Sequence, residues 1–242
     1  MEKNNKRLIF IIFSFIALVL SVCSLSVSLI IAANSKKESN NYLKDAINSV
    51  VELKSVIDEN NVEYGSAILV SDDGLCYTNA HLVVYSNGGV YKEFNEYYVR
   101  FSFEKEFVKS ELISYDTEKD IAIIKITEMS KTYQKSKIGD SSKIAIGDTV
   151  YAIGNGLNHG IGLTKGYVSI PRVEIQSEGA MRSVIQCDLT INSGNSGGGL
   201  FNDKGELIGI TTFRIKDLNG NIAYGLAFSV PVEYFSELPT TN

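Results

Sequence analysis

The run Asn192-Ser193-Gly194-Asn195-Ser196-Gly197-Gly198-Gly199 sets a serine among glycines that leave its hydroxyl uncovered. A nucleophilic serine needs that openness, and it needs backbone N–H groups converging on one point to hold a developing oxyanion. A glycine-rich turn with an incidental serine has the same composition, so the octapeptide alone leaves both readings open. Residues 194–198 also satisfy Gly-x-Ser-x-Gly, the nucleophile elbow of α/β-hydrolases. In those enzymes the acid and the histidine follow the serine along the chain. The only histidines are His81 and His159, both before Ser196, so the elbow reading fails on order. What precedes Ser196 does supply a base and an acid: His81 ends the strand-like LCYTNAH, and Asp120 opens the apolar run DIAIIKI. An imidazole titrates near neutrality and can accept a serine proton, and a buried carboxylate would fix its tautomer and stabilise the imidazolium. Taken singly, a histidine at a strand end and an aspartate before an apolar run also serve as plain structural residues.

Strands must position these groups. Ser66 to Ser71 and Leu75 to Thr78 are apolar stretches joined by Asp72-Asp73-Gly74, a hairpin turn whose glycine can take positive φ. Val99, Phe101 and Phe103 alternate with Arg100 and Ser102, the period of a half-buried strand. Ile121 to Ile126 reads as a buried strand, and Leu200 to Ile210 repeats the hairpin pattern around Asn202-Asp203-Lys204-Gly205. Sixteen of the 20 glycines lie between Gly139 and Gly225, so the second half is dense in tight turns. Short strands, frequent turns and little helix point to a sandwich or barrel architecture. The polar segment from Glu128 to Lys137 is the natural divide between two halves.

Ahead of the strands, residues 8–33 are uncharged. As a helix they would extend about 39 Å at ~1.5 Å per residue, enough to cross a ~30 Å hydrocarbon layer with tilt. Lys3, Lys6 and Arg7 on one side balance Lys36, Lys37 and Lys44 on the other, so charge does not orient the span. The expected arrangement is a single pass through the cell membrane, with the tail of residues 1–7 inside and the large body on the extracytoplasmic side. Cleavage after Ala33 is the alternative, and Val22 replaces the small residue a lipidated Cys23 would need. The serines at 14, 21, 24, 26 and 28 are expected to bond back to their own helix. Residues 34–49, with a short helical pattern of Tyr42, Leu43, Ala46 and Ile47, suit a stalk.

Hydrophobic residues at 44%, charged residues at 21% and a net charge of −5 describe a globular chain without a basic surface for nucleic acid. Three cysteines without CxxC spacing exclude a disulfide scaffold and argue against a structural zinc site. Cys76 and Cys187 are expected as buried thiols, with a disulfide between them as the alternative, and His159 as a solvated loop residue.

The segments GSAILVSDDGLCYTNAH, YDTEKDIAIIKI, IGDSSKIAIGDTVYAIGNG and IQCDLTINSGNSGGGLFNDKGELIGITT, then YGLAFSVPVE, occur in that order. Together they resemble the protease domain of HtrA/Deg-type serine proteases, of the trypsin-like superfamily, over roughly residues 50–235. The resemblance implies an all-β fold: two antiparallel six-stranded, chymotrypsin-like β-barrels at about residues 50–128 and 138–235, behind one transmembrane helix, with residues 236–242 as a tail. It implies a triad of Ser196 as nucleophile, His81 as base and Asp120 as orienter. The Gly194 and Ser196 N–H groups would form the oxyanion hole, with Asn195 shaping the loop between them. Thr190 stands where trypsin-like enzymes selective for basic residues place an aspartate. With Ile191 and Ala227 it implies a small, uncharged primary specificity pocket (S1) that favours aliphatic residues.

The implied function is endopeptidase action on misfolded or exported proteins, as in protein quality control, with no metal or organic cofactor. Lipid bilayer, unfolded polypeptide and a homotrimer are the implied partners. Ser193 and Gly199 replace prolines usual in the family, which loosens the loop and implies low basal activity without an activator. From the length left after the two barrels, the C-terminal PDZ module many HtrA proteins carry is not expected here. The rivals are a catalytically quiet binding or chaperone module that keeps the protease fold, and an esterase of another fold.

Overall fold

A computed structural model describes residues 2–177, 179–216 and 222–241. Its elements are one helix, α1 (Glu2–Ser49), and strands β1 (Val50–Asp58), β2 (Asn61–Leu69), β3 (Leu75–Thr78), β4 (Val84–Asn87), β5 (Val90–Glu93), β6 (Glu96–Phe101), β7 (Val108–Asp116) and β8 (Ile121–Ile126). There follow β9 (Lys137–Ile138), β10 (Thr149–Gly154), β11 (Gly162–Ser177), β12 (Ala180–Cys187), β13 (Gly199–Asn202), β14 (Glu206–Lys216) and β15 (Ile222–Pro231). The chain forms two compact units, residues 1–41 and 42–242.

The first unit is helix. Its segment Phe13–Asn34 has a mean hydropathy of 2.6 and is long and apolar enough to cross a membrane. Its serines turn inward on their own backbone: Ser21 donates to Leu18 O, Ser24 to Ser21 O, Ser26 to Val22 O and Ser28 to Ser24 O, at 2.8–3.0 Å. This is how hydroxyls are satisfied where no water is at hand.

In the second unit, β1-β2-β3-β8-β7-β6 close into an antiparallel barrel. Its interior holds Val51, Leu53, Val99, Phe101, Ala122 and Ile124, and Phe101 stacks on Tyr133 with ring centroids 3.6 Å apart. The alternation expected from Val99 to Phe103 stops at Phe101, where β6 ends; Phe103 lies past the strand and is 57% exposed. The second sheet runs β13-β10-β11-β12-β15-β14-β9, and an added β13–β14 pairing brings its first six strands back on themselves. β9 is an addition to that ring, parallel to β14. No strand occurs from residue 127 to 136, the polar divide.

A separate apolar cluster joins the two sheets: Val50, Ile68, Ile121 and Ile123 from the first meet Tyr151, Ile153, Phe201, Leu207, Ile210 and Val230 from the second. This explains why β8 is apolar on both faces. Ile121 and Ile123 point into the seam while Ala122, Ile124 and Ile126 fill the barrel, so both faces of a period-two strand are buried. The residues expected to form the end of a stalk also pack here. Ala46 is 2% exposed, Ser49 is fully buried, and Leu43 and Ile47 lie against the seam cluster. Cys76 and Cys187 lie in the cores of different sheets and both are free thiols, so the alternative disulfide does not form. Burial pushes both thiols up, Cys187 to about 12 with help from the nearby Asp188 charge.

Candidate active site

β3 delivers the histidine. After Thr78 the chain passes Asn79 and makes one 3₁₀ turn, Ala80–Leu82, which turns His81 toward Asp120. The His81 backbone N–H donates to Asp120 Oδ1 at 3.0 Å, and ring Nδ1 lies 3.0 Å from both carboxylate oxygens. A carboxylate accepts only, so Nδ1 carries the proton and Nε2 is left as the basic nitrogen. Asp120 itself is 1% exposed and sits in the left-handed region, φ 57°, just before β8. Desolvation alone would raise its pKa. The His81 charge, together with hydrogen bonds from His81 and Thr212, outweighs burial and holds the carboxyl below its ordinary range.

Two supporting residues are absent from the sequence reading. The Thr212 hydroxyl donates a short hydrogen bond to Asp120 Oδ2. Asn79, fully buried, uses both halves of its amide: Nδ2 donates to Asp120 O at 2.9 Å, and Oδ1 accepts from Gly197 N–H at 2.7 Å. One side chain thus ties the aspartate of the first barrel to the serine loop of the second. The available signal was polarity in the wrong place, since Asn79 and Thr211-Thr212 interrupt otherwise apolar strand sequence.

The serine loop is moulded by contacts that only glycine permits. Gly194 and Gly197 have φ of +90° and +79°, and an added Cβ would stand 2.1 Å from Asn155 O and 1.9 Å from Ser66 O respectively. Ser193 C=O accepts from Leu157 N–H at 2.7 Å, and Asn195 C=O from Gly198 N–H at 2.9 Å. In a trans peptide C=O and N–H point in opposite directions, so the following N–H groups, of Gly194 and Ser196, are turned away from those partners. Among the described residues neither N–H donates to a protein acceptor. Ser196 Oγ donates to Thr212 O at 2.9 Å. A hydroxyl has one proton, so while it is given to Thr212 it is not given to a base, and rotation about Cβ–Oγ redirects it.

The three expected pocket residues separate. Thr190 is exposed, whereas Ile191 and Ala227, 4% and 2% exposed, pack with Leu189 and Cys187 in the core of the second sheet. His159 is an exposed loop residue. Among the described residues no group of three or more His, Cys, Asp or Glu could hold a metal ion.

Residues 65–210, which bracket His81, Asp120 and Ser196, match the family model described as a trypsin-like peptidase domain. A Pseudomonas putida protein named probable periplasmic serine endoprotease DegP-like is 35% identical over 169 residues, covering 70% of this chain and 32% of that one. A Brucella suis protein of the same name is 34% identical over 173 residues, covering 72% and 31%. The chain therefore spans about a third of the length of these curated relatives. Among solved structures, one titled HtrA-type protease AlgW with tripeptide superposes with a TM-score of 0.68 at 29% identity, covering 82% of this chain and 61% of that one.

Proposed function

Because this chain belongs to the trypsin-like peptidase family, we propose that it is a membrane-anchored serine endopeptidase whose reaction runs through His81, Asp120 and Ser196. The observation that carries the reading is the His81–Asp120 pair, joined by two contacts of ring Nδ1 and linked through Thr212 and Asn79 to the Ser196 loop. Ser196 Oγ attacks the peptide carbonyl as His81 Nε2 takes its proton, and the new C–O⁻ is held by the N–H groups of Gly194 and Ser196. His81 then gives the proton to the leaving amine as the C–N bond breaks, leaving an acyl-serine. Water, deprotonated by the same imidazole, releases the acid and restores Ser196. Asp120 keeps its negative charge throughout and stabilises the imidazolium.

The substrates we infer are misfolded or exported polypeptides on the extracytoplasmic side of the cell membrane, with residues 8–33 as the single span. The periplasmic naming of the relatives and the apolar helix support this location. A small aliphatic residue before the scissile bond is the inferred preference, supported by the uncharged Thr190, Ile191 and Ala227. A homotrimer is the inferred assembly, checked by light scattering of the detergent-solubilised chain. The Ser196–Thr212 hydrogen bond supports a low basal rate, since it must break before the proton can move.

The deciding experiment compares the full chain with Ser196→Ala in detergent, using casein hydrolysis and fluorophosphonate labelling. Hydrolysis and labelling should both vanish in the variant. A chain that binds unfolded protein but neither cleaves it nor takes the label would be the quiet binding module instead.

A further inference from the structure

Building on the serine-protease reading, we infer that Glu52, on β1 of the first barrel, is a positioning residue for the oxyanion loop carried by the second. Glu52 is 8% exposed. Its Oε2 accepts from Nη2 of Arg100, the residue directly opposite on β6, at 2.8 Å, and from Nδ2 of Asn155 at 3.1 Å. Arg100 is in turn held with its guanidinium 4.6 Å from the centre of the Phe107 ring.

Asn155 follows directly on β10 and is 1% exposed. Its remaining polar groups bond Ser66 on β2 and the loop that follows Asn155. The N–H donates to Ser66 Oγ at 2.9 Å, and that hydroxyl donates to Gly194 C=O at 2.8 Å. Its carbonyl accepts from Asn158 N–H at 3.1 Å and lies so close to Gly194 that no Cβ fits there. Its Oδ1 accepts from Gly160 N–H at 2.8 Å. Where Asn155 lies therefore fixes where the Gly194 backbone lies, and Gly194 contributes one of the two N–H groups inferred to hold the oxyanion.

Packing alone gives no reason for a carboxylate at position 52. Its neighbours Val50, Val51 and Leu53 are apolar and buried, and a buried ion pair seldom stabilises more than an apolar pair of the same shape. An apolar side chain, however, cannot receive the Asn155 amide. The carboxylate dictates which end of that amide faces the first barrel, and so leaves Oδ1 for Gly160. Arg100 supplies the compensating charge beside the buried carboxylate.

The test uses the full chain in detergent and a peptide substrate. Glu52→Ala should lower kcat about 10²-fold, the loss that a misplacement of about 1 Å can cause, with KM within about twofold. Phosphonylation of Ser196 by a fluorophosphonate should slow in parallel. The midpoint of the kcat–pH profile should stay in place, because Arg100 and Asn155, which Glu52 holds, stand outside the His81–Asp120 pair. Glu52→Gln keeps the shape and one acceptor oxygen and should remain within about fivefold of the unaltered chain. Asn155→Asp, isosteric, turns the donor facing Glu52 into an oxygen and should reproduce the loss even if Glu52→Ala does not fold. An unchanged kcat in Glu52→Ala or Asn155→Asp, equal losses in the Ala and Gln variants, or a shifted pH midpoint would overturn the inference. Absence of labelling in the unaltered chain would instead sink the protease reading itself.

Discussion

Thr212 meets the serine with its backbone and the aspartate with its side chain: the carbonyl receives the Ser196 proton at 2.9 Å and the hydroxyl supports Asp120. Replacing it with valine keeps the first contact and removes the second. A hydrogen bond to a charged group contributes about 1.5–3 kcal/mol, so Thr212→Val should reduce kcat by roughly 10–10²-fold. The same bond is one cause of the lowered Asp120 pKa, so its loss raises that pKa toward the unfolded value near 3.9. A carboxylate with a depressed folded pKa stabilises the fold above its unfolded pKa and loses that contribution as pH falls through the folded one. The variant should therefore lose less stability on acidification and complete that loss at a higher pH, which thermal melts between about pH 2 and 5 would show. Equal acid limbs in both proteins would refute the account. Ser196, His81 and Asp120 stood out as candidates in the sequence because a triad restricts its members to a few residue types in a fixed order. Thr212 and Asn79 did not, because a buried threonine or asparagine shows its function only through the atoms it faces, and those lie 92 and 41 residues away in sequence.

At the scale of elements, β8 was legible as a buried strand from its apolar run, but not as a strand serving two cores. Neighbouring isoleucines with the same burial should thus behave alike in stability and differently in activity. Ile123 and Ile124 are both fully buried, the first in the seam between barrels and the second inside the first barrel. Truncation to alanine should cost about 2–5 kcal/mol at either position, measured by denaturant unfolding. Only Ile123→Ala loosens the surface across which His81 and Asp120 face the Ser196 loop, so it should slow fluorophosphonate labelling well beyond Ile124→Ala. Equal labelling in the two would mean that the seam does not hold the site together.

The body of residues 42–242 includes the last turns of a helix that the sequence, despite its short helical pattern, suggested to be a stalk. Lysines and asparagines from Asn34 to Asn48 gave the segment its stalk-like character, and the decisive Leu43, Ala46 and Ile47 are few enough to pass for incidental. Their spacing is that of one helical face, and in the folded chain this face lies against the seam cluster. The last turns of α1 thus cap the junction of the two barrels, and the chain enters β1 immediately afterwards. A charge placed there would be buried without a partner. Ala46→Arg should destabilise the body by about 3–5 kcal/mol. At about 2–4 °C per kcal/mol for a domain of this size, its melting temperature should fall by roughly 6–20 °C. Sedimentation with membranes should be unchanged, because the apolar segment from Phe13 to Asn34 is untouched. A melting temperature within about 2 °C of the unaltered chain would show that these turns are a spacer after all.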